Sequence, residues 1–306
     1  MTASRGIFWE AGEHGIPLGI DEAGQGPAVL LLPALSSIST RHEMHGLMAE
    51  LAPYFRVTAI DWPGFGTEPR PKLDWTPDLL SDYLAFVLRE LVPQPFAIVA
   101  AGHAATYALN HLAARPGDAS RLVSIAPTWR GPLPTMAGGH KSWFAAVRGA
   151  IDAPGLGDLL YAMNLSRPVM DRMVRGHVYS DPQWLGGDAL AAKLAVTRAP
   201  GARHASVRFV TGALDRVRSR RQFLDLARRA AVAHLVVHGE ETPRRSKAEI
   251  EALAALPGVE AVLFRKGKLS LHEEFAWKVG FAILTFLLPH RPRTDGATDR
   301  QAETAS

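Results

Sequence analysis

The sequence predicts an α/β fold in which a mainly parallel sheet of eight strands carries helices on both faces. Short apolar runs rich in β-branched residues alternate with longer amphipathic segments from about residue 26 to residue 288, as β-α-β units require. Several of these runs are apolar at nearly every position, which is typical of strands that are covered on both faces. The chain has 306 residues, of which 47% are hydrophobic, enough for one large core.

The predicted strands fall into an N-terminal hairpin and a parallel series. Residues 7–10 and 18–21 flank a glycine-bearing turn, so we expect an antiparallel hairpin at the edge of the sheet. The parallel strands are predicted at residues 28–32, 56–61, 96–101, 122–126, 233–239 and 261–265.

Three helices have clear boundary signals. Thr76 followed by Pro77 predicts an N-cap and a proline in the first helical position. The pair Ser246 and Glu249 matches a capping box, which would open a helix that ends near residue 257. The last helix is expected to begin at about Leu271 and to pack on the sheet.

The strand pattern is interrupted between residues 131 and 205. This segment contains amphipathic pieces broken by glycine and proline and rich in Met and Trp, which indicates an inserted helical cap. The core is therefore predicted to comprise residues 1–130 and 206–290. The polar tail at 291–306 is too poor in apolar residues to fold alone, so we expect disorder there.

Composition excludes several classes of function. The 34 basic and 30 acidic residues leave a net charge of +4 with the cations scattered, so no nucleic-acid partner is implied. The absence of cysteine excludes thiolate catalysis and cysteine-bound metal clusters. The longest apolar stretch, 279–288, is far shorter than the roughly 20 residues of a membrane span. With no apolar leader at the N-terminus, a cytoplasmic location is expected.

Four motifs in a fixed order carry a resemblance to a known family. GQGP at 24–27 precedes the strand segment AVLLLPALSS at 28–37, DWPGFG at 61–66 follows the next strand, and IVAAGHAATYAL at 98–109 has a strand-turn-helix pattern. The sequence HEE at 272–274 follows the last strand. Together they resemble the α/β-hydrolase fold, whose cap is usually inserted after the strand that here ends near Pro127.

The resemblance implies a catalytic triad that this sequence lacks. The family places a serine on a tight turn between strand and helix, a histidine that takes its proton, and a carboxylate that orients the histidine. The matching positions here are Gly102, Leu269 and Thr242, respectively. Other registers put Ala104 or His103 at the turn, and none of them supplies Ser, Cys or Asp. The sequence therefore predicts a member with a degenerate triad.

Other parts of the family's site have counterparts. The backbone N–H groups of Leu35 and His103 match the donors of an oxyanion hole. The His103 side chain follows the turn at a helix N-terminus, where it could act as an acid or base, or could pack beside the neighbouring strand. The resemblance also places five residues around the pocket, namely Ala34, Ser36, Trp129, Glu241 and His272.

Several polar residues have simpler interpretations. The serines and Thr40 after the first core strand suit loop and N-cap roles. His42 and His45 have a spacing that could bind a metal, but no converging carboxylate is evident, so no metal site is predicted. Asp61 is expected to bond its own turn, and Asp215 to cap the helix at 217–230 or to pair with nearby arginines.

Three functional hypotheses follow. The first is a cofactor-free pseudoenzyme whose capped apolar pocket binds a small apolar ligand or assists a protein partner. The second is a lyase, isomerase or water-using hydrolase without a triad, in which His103 is the acid or base. The third is an esterase with an unconventional triad made of Ser36 or Ser37, His272 and Glu241.

Overall fold

The computed structural model describes residues 2–164, 172–173, 175–181, 184 and 188–292. Eight strands form one sheet in the order β1-β2-β4-β3-β5-β6-β7-β8. The strands are β1 (Ala3–Ala11), β2 (His14–Ala23), β3 (Ala28–Leu32), β4 (Arg56–Ile60), β5 (Ala97–Ala101), β6 (Arg121–Ile125), β7 (Ala233–Gly239) and β8 (Val259–Phe264). The predicted α/β fold with an eight-stranded sheet is confirmed.

The sheet is parallel except at one edge. β1 and β2 form the predicted antiparallel hairpin, which is longer than expected, and β2 pairs antiparallel with β4. All other neighbouring strands are parallel. β5 is buried at every position because helices cover both of its faces, whereas most residues of β1 are exposed at the edge. The loops that follow the central parallel strands therefore lie together at the end of the sheet where the carboxyl termini of these strands meet.

Helices cover both faces of the sheet. A 3₁₀ turn at Arg41–Met44 leads into a helix at His45–Leu51, which packs against the last helix. On the other face the helices after β4 and β5 pack together with the one before β7. The helices of the core are His45–Leu51, Pro77–Phe86, Ala104–Ala114, Arg220–Ala230, Arg244–Ala254, Leu271–Glu274 and Ala276–Leu287, with a π-helical turn at Val87–Leu91 and a 3₁₀ turn at Leu288–His290.

One predicted helix start is confirmed and another is wrong. Thr76 caps its helix, its hydroxyl accepting the Leu79 N–H at 3.2 Å. The helix near Ser246 instead begins at Arg244 after Pro243, so that Ser246 already lies within it. Glu249 does not complete a capping box, because its carboxylate turns to partners on other elements.

The regular elements described between β6 and the helix Arg220–Ala230 are all helices, joined by turns. Its helices are Pro132–Met136, Phe144–Asp152, Leu156–Asn164, Asp188–Thr197 and Ala202–Val210. The last of these crosses residue 205, the predicted end of the cap, and the division into core and cap stays a prediction. Met170 and residues 293–306 of the predicted tail lie outside the described residues. In the described part of the chain, no helix is long and apolar enough to cross a membrane.

Candidate functional site

The turn after β5 has the geometry of a strand-to-helix elbow with a glycine at its apex. β5 ends at Ala101, Gly102 follows with φ of +52°, and a helix begins at Ala104. The Gly102 N–H donates to Ile125 O at 2.8 Å, and the Thr128 N–H donates to Gly102 O at 3.0 Å. These bonds tie the elbow to β6. The backbone conformation is kept although its apex carries no functional group.

A side chain at the apex would point at two named atoms. A Cβ atom built on Gly102 would lie 3.3 Å from Ala34 Cβ and 4.0 Å from Thr128 Oγ1. Ala34, a predicted pocket residue, therefore faces the elbow directly. The 3.3 Å separation is tighter than ordinary van der Waals contact, so even a methyl group at position 102 would require Ala34 to move slightly.

Two backbone N–H groups beside the elbow lack acceptors. Among the described residues, neither the Leu35 N–H nor the His103 N–H donates a hydrogen bond. Leu35 is buried with 1% exposure, and His103 is equally buried. Buried N–H groups without partners are rare in folded proteins, and they commonly mark the position of a water or ligand oxygen. The two groups are therefore available to hold such an oxygen.

The His103 side chain packs into the protein interior. Its ring makes an edge contact with Phe209 at 5.6 Å between centroids and lies 6.2 Å from Tyr107. Burial lowers the pKa of His103, opposed by Asp215, whose Oδ1 lies 3.4 Å from Nε2. The imidazole is enclosed by aromatic rings and a carboxylate, and the two interpretations of His103, as an acid or base and as a packed side chain, stay predictions.

Asp215 joins the two ends of the helical segment, and its predicted capping role is wrong. Its Oδ1 accepts the Gly131 N–H at 2.8 Å, and its Oδ2 lies 2.8 Å from His140 Nε2. The helix Arg220–Ala230 begins later than expected and is capped by Ser219. Asp215 therefore lies too far upstream to serve as its N-cap.

A buried pair of ionisable residues lies next to the elbow. His272 Nε2 is 3.3 Å from Glu43 Oε1, and the same oxygen accepts the Ala34 N–H at 2.7 Å. Both side chains are almost completely buried. Burial opposes ionisation of Glu43, but the contact with His272 and the charge of Lys193 outweigh it and lower the pKa. His272 Nδ1 has no hydrogen-bond partner in the part of the chain that is described.

The pair extends toward the helical segment between β6 and the helix Arg220–Ala230 through three further residues. Lys193 Nζ lies 2.9 Å from Glu273 Oε2 and 3.7 Å from Glu43 Oε2. The Tyr179 hydroxyl donates to Glu273 Oε2 at 2.9 Å. Burial and the adjacent carboxylates raise the pKa of Tyr179, which keeps the hydroxyl protonated as a donor. We call Glu43, His272, Lys193, Glu273 and Tyr179 the Glu43 network.

Sequence reasoning missed the Glu43 network apart from His272 because its members are distant in the chain. The third hypothesis pairs His272 with Glu241, but in the structure His272 faces Glu43 and Glu241 is exposed. The only local signal for Glu43 was a carboxylate in the 3₁₀ turn Arg41–Met44, just before a helix that buries apolar residues. A single sequence cannot distinguish this from an acidic residue that favours a helix start.

The two other positions that the resemblance matches to the triad carry no ionisable side chain. Thr242 is buried, and its Oγ1 has no partner among the described residues. Leu269 is half-buried, and its N–H donates to His177 O at 3.4 Å. Neither side chain can act as a base or as an orienting carboxylate, and the assignment of a degenerate triad stays a prediction.

Two other predicted pocket residues have local roles. Ser36 Oγ accepts the Ile38 N–H at 3.4 Å. Trp129 is buried, and its indole N–H donates to Glu249 Oε2 at 3.1 Å. Its ring lies against the Arg130 guanidinium, 4.4 Å from the centroid. Trp129 therefore anchors the loop after β6 to the helix Arg244–Ala254.

The structure brings a carboxylate to His42 and His45, which the sequence analysis did not find. Asp21 of β2 places Oδ2 2.7 Å from His45 Nε2 and 3.9 Å from His42 Nε2. Asp61 also differs from expectation, because it pairs with Arg41 rather than with its own turn. Both contacts depend on the antiparallel pairing of β2 with β4, which a local pattern does not show.

Comparison with known proteins identifies the class of this chain. A model described as the alpha/beta hydrolase family matches residues 29–277. The match covers most of the chain and includes the elbow, so the protein belongs to the alpha/beta hydrolase family. A comparison with curated proteins found no match.

Solved structures share the fold at low sequence identity. A thermophilic esterase from Thermogutta terrifontis has a TM-score of 0.70 and 18% identity, with 95% of this chain and 100% of that chain covered. A hydrolase from Pseudomonas aeruginosa PA01 has a TM-score of 0.69 and 20% identity, with 92% and 98% covered. The haloalkane dehalogenase DatA from Agrobacterium tumefaciens C58 has a TM-score of 0.68 and 15% identity, with 94% and 97% covered. At these identities the likeness establishes the fold alone.

Proposed function

We propose that this alpha/beta hydrolase binds a small, largely apolar molecule beside its elbow and does not perform serine hydrolysis. The observation that carries the proposal is the residue at the apex of the elbow. Gly102 has the left-handed backbone conformation there but no side chain that could act as a nucleophile. A covalent ester intermediate needs a hydroxyl, thiol or carboxylate at that apex. Hydrogen occupies its place here, so the covalent step of the family's serine enzymes has no starting atom.

The surroundings of the elbow indicate the chemistry of the ligand. Ala34 faces the apex, and Leu269 stands where the family's catalytic histidine is expected. A pocket lined by such side chains favours an apolar body. The unpaired N–H groups of Leu35 and His103 favour one oxygen atom, such as a carbonyl, directed at the elbow. Both features together suit a small apolar ester, lactone or ketone.

The first test measures labelling and turnover. The purified chain is incubated with a fluorophosphonate probe and with a panel of aryl esters and lactones, and bound molecules are sought by native mass spectrometry. We expect no labelling, no turnover and a bound small molecule. Stoichiometric labelling would contradict the proposal, because it requires a reactive nucleophile that the described site does not contain.

The Gly102→Ser variant asks whether the nucleophile alone is missing. We expect no ester hydrolysis, because Leu269 leaves no base at the expected distance from the new hydroxyl. The Gly102→Ala variant is the matched control for the added carbon atom. Ester turnover in Gly102→Ser that is absent from Gly102→Ala would show that a base reaches the elbow.

A second candidate function is supported by the Glu43 network. His272 has one nitrogen facing Glu43, and its Nδ1 has no partner among the described residues, which is the arrangement of a general base oriented by a carboxylate. In this alternative His272 removes a proton from water as the water attacks a bound ester carbonyl, and the Leu35 and His103 N–H groups stabilise the oxyanion. The tetrahedral intermediate then collapses with cleavage of the ester C–O bond, and protonated His272 returns the proton to the leaving alkoxide. The reaction is hydrolysis without a covalent intermediate, and His272 replaces His103 as the base.

Two variants distinguish this alternative from the first proposal. If the chain turns over an ester without labelling, His272→Gln is expected to lower kcat by about 10²- to 10⁴-fold. His103→Ala is the comparison, because it removes the other buried imidazole beside the elbow, whose ring packs against Phe209. Loss of turnover in His103→Ala with retention in His272→Gln would overturn this assignment of the base.

A further inference from the structure

Outside the elbow, three side chains converge on the surface beside β2. Asp21 lies in β2 and is buried, whereas His42 and His45 have side chains that are 48% and 46% exposed. One ligand atom from each residue lies within 4.8 Å of the other two. The proposed ligand function does not involve these residues.

Local backbone geometry places the two imidazoles on one face. Residues Arg41–Met44 form a 3₁₀ turn, which His45 ends by donating its N–H to His42 O. Side chains three residues apart eclipse one another in a 3₁₀ helix. The ring centroids of His42 and His45 are consequently 5.0 Å apart, and both Nε2 atoms point toward Asp21.

The Asp21 carboxylate is held in position by Arg41. Arg41 Nε lies 3.0 Å from Asp21 Oδ2, while Arg41 Nη1 lies 2.5 Å from Asp61 Oδ2. Asp21 Oδ1 is buried and has no hydrogen bond of ordinary length to any described residue. The carboxylates of Asp21 and Asp61 and the guanidinium of Arg41 together carry one net negative charge. This charge favours a cation on the solvent side of Asp21, where the two histidines lie.

We propose that Asp21, His42 and His45 bind a divalent transition-metal cation, with Zn²⁺ as the best match. Imidazole nitrogens and a carboxylate oxygen are ordinary zinc ligands at about 2.0–2.2 Å, which separates ligand atoms in a tetrahedral site by about 3.3 Å. Asp21 Oδ2 lies 2.7 Å from His45 Nε2 and 3.9 Å from His42 Nε2, one distance shorter and one longer than that value. In this proposal the two half-exposed imidazoles rotate on binding, so that both separations approach that value.

Solvent completes the site in this proposal. Because both histidines are half-exposed, the cation reaches them from the surface and keeps at least one water ligand. Arg41 remains in contact with Asp21 and Asp61, which orients the carboxylate in the way that outer partners do in metal sites. The cation would tie β2 to the segment that carries Leu35 and Glu43, so we assign it a stabilising role for that loop.

The test uses the full-length chain without an affinity tag. Zn²⁺ binding is measured by isothermal titration calorimetry, and Co²⁺ is added separately to record the visible absorption of a histidine-bound ion. We expect one cation per chain. Removing an outer partner of a metal ligand already weakens binding by about 10- to 100-fold. His42→Gln and His45→Gln, which each remove a direct ligand, should therefore weaken it at least about tenfold and abolish the Co²⁺ band.

His14→Gln is the matched control, because His14 is an exposed histidine at the far end of β2. It should leave the affinity and the Co²⁺ spectrum unchanged. Zn²⁺ should also raise the Tm of the wild-type chain but not that of the His42→Gln/His45→Gln double variant. Equal affinity in the wild type and the double variant, or no saturable binding to the wild type, would overturn the proposal.

Discussion

At the residue scale, Gly102 meets two constraints at once. Its φ of +52° costs little for glycine but about 1–2 kcal/mol for other residues. Any Cβ atom would also press on Ala34 at 3.3 Å. The elbow therefore retains a strained geometry that glycine tolerates well, and the family's usual serine would have to overcome both costs.

The cost of a side chain at the elbow can be measured with a matched pair. Gly12 has a similar φ of +63° in the β1–β2 turn, and a Cβ there would meet nothing within 4 Å. We expect Gly102→Ala to lower the free energy of unfolding by more than Gly12→Ala, in urea titrations of both variants. Equal losses would mean that Ala34 yields without cost and that only the backbone conformation matters.

A second prediction at this scale concerns the buried His234. Burial lowers the pKa of His234 to about 4, and its Nε2 lies 2.8 Å from Ser124 Oγ. The unfolded chain, with a pKa of about 6.5 for this residue, binds the proton first, so stability falls as pH decreases below 6.5. Between pH 7 and pH 5 this residue alone should cost about 2 kcal/mol.

The variant His234→Gln isolates this contribution. Its amide can still pair with Ser124 but does not titrate. The wild type should therefore lose about 2 kcal/mol more than the variant when urea titrations at pH 7 and pH 5 are compared. Parallel losses in the two proteins would show that His234 is protonated in the folded state at pH 5.

At the element scale, Glu249 connects three parts of the chain. Its carboxylate accepts from Trp129 Nε1 at 3.1 Å, from Arg130 Nη2 at 2.9 Å and from Arg220 Nε at 2.9 Å. The helix Arg244–Ala254 is thereby joined to the loop after β6 and to the helix Arg220–Ala230. Contacts with Arg220 and Trp129 lower the pKa of Glu249 against the opposing effect of burial.

Glu249→Ala and Ser246→Ala separate this role from the predicted capping box. We expect Glu249→Ala to reduce the free energy of unfolding by about 2–3 kcal/mol, because it leaves Trp129 and Arg130 without their acceptor. Ser246→Ala should change it by less than about 0.5 kcal/mol. Similar losses for both variants, measured by chemical unfolding, would restore the capping-box interpretation.

Elements were predictable where the signal was local. Thr76 followed by Pro77 gave the correct helix start, since the capping hydroxyl and the N–H it accepts lie three residues apart. The position of Gly102 followed from the adjacent strand and helix. Glu249 and Asp21 were misinterpreted or missed, because their partners lie on other elements and depend on how those elements pack.

At the scale of the whole molecule, polar contacts attach the helical segment to the core. Glu274 accepts the N–H groups of Ser180 and Asp181 at 2.9 and 2.6 Å. Lys193 and Tyr179 reach Glu273 through the Glu43 network. The fold class and the eight-stranded sheet followed from the sequence. These attachments did not, because they join residues about 80 or more positions apart.

Removing the lysine should loosen this attachment. Lys193→Met leaves Glu43 and Glu273 without their shared cation, so amide hydrogen exchange in the helix Asp188–Thr197 should become about tenfold faster, while β5 stays protected. Lys247→Met is the control, since its pair with Glu251 is 4.0 Å long and lies at the surface. Unchanged exchange in the Lys193 variant would mean that other contacts hold the helix.

The placement of Glu43 has a thermodynamic consequence. One carboxylate holds the main chain at Ala34, next to the elbow, and interacts with Lys193 of the helical segment. A molecule that binds the elbow more tightly when Lys193 is in place must, by reciprocity, favour that placement by the same factor. The binding of a molecule at the elbow and the placement of the helix Asp188–Thr197 are thus linked by one coupling free energy. A measurement of either one therefore also gives information about the other.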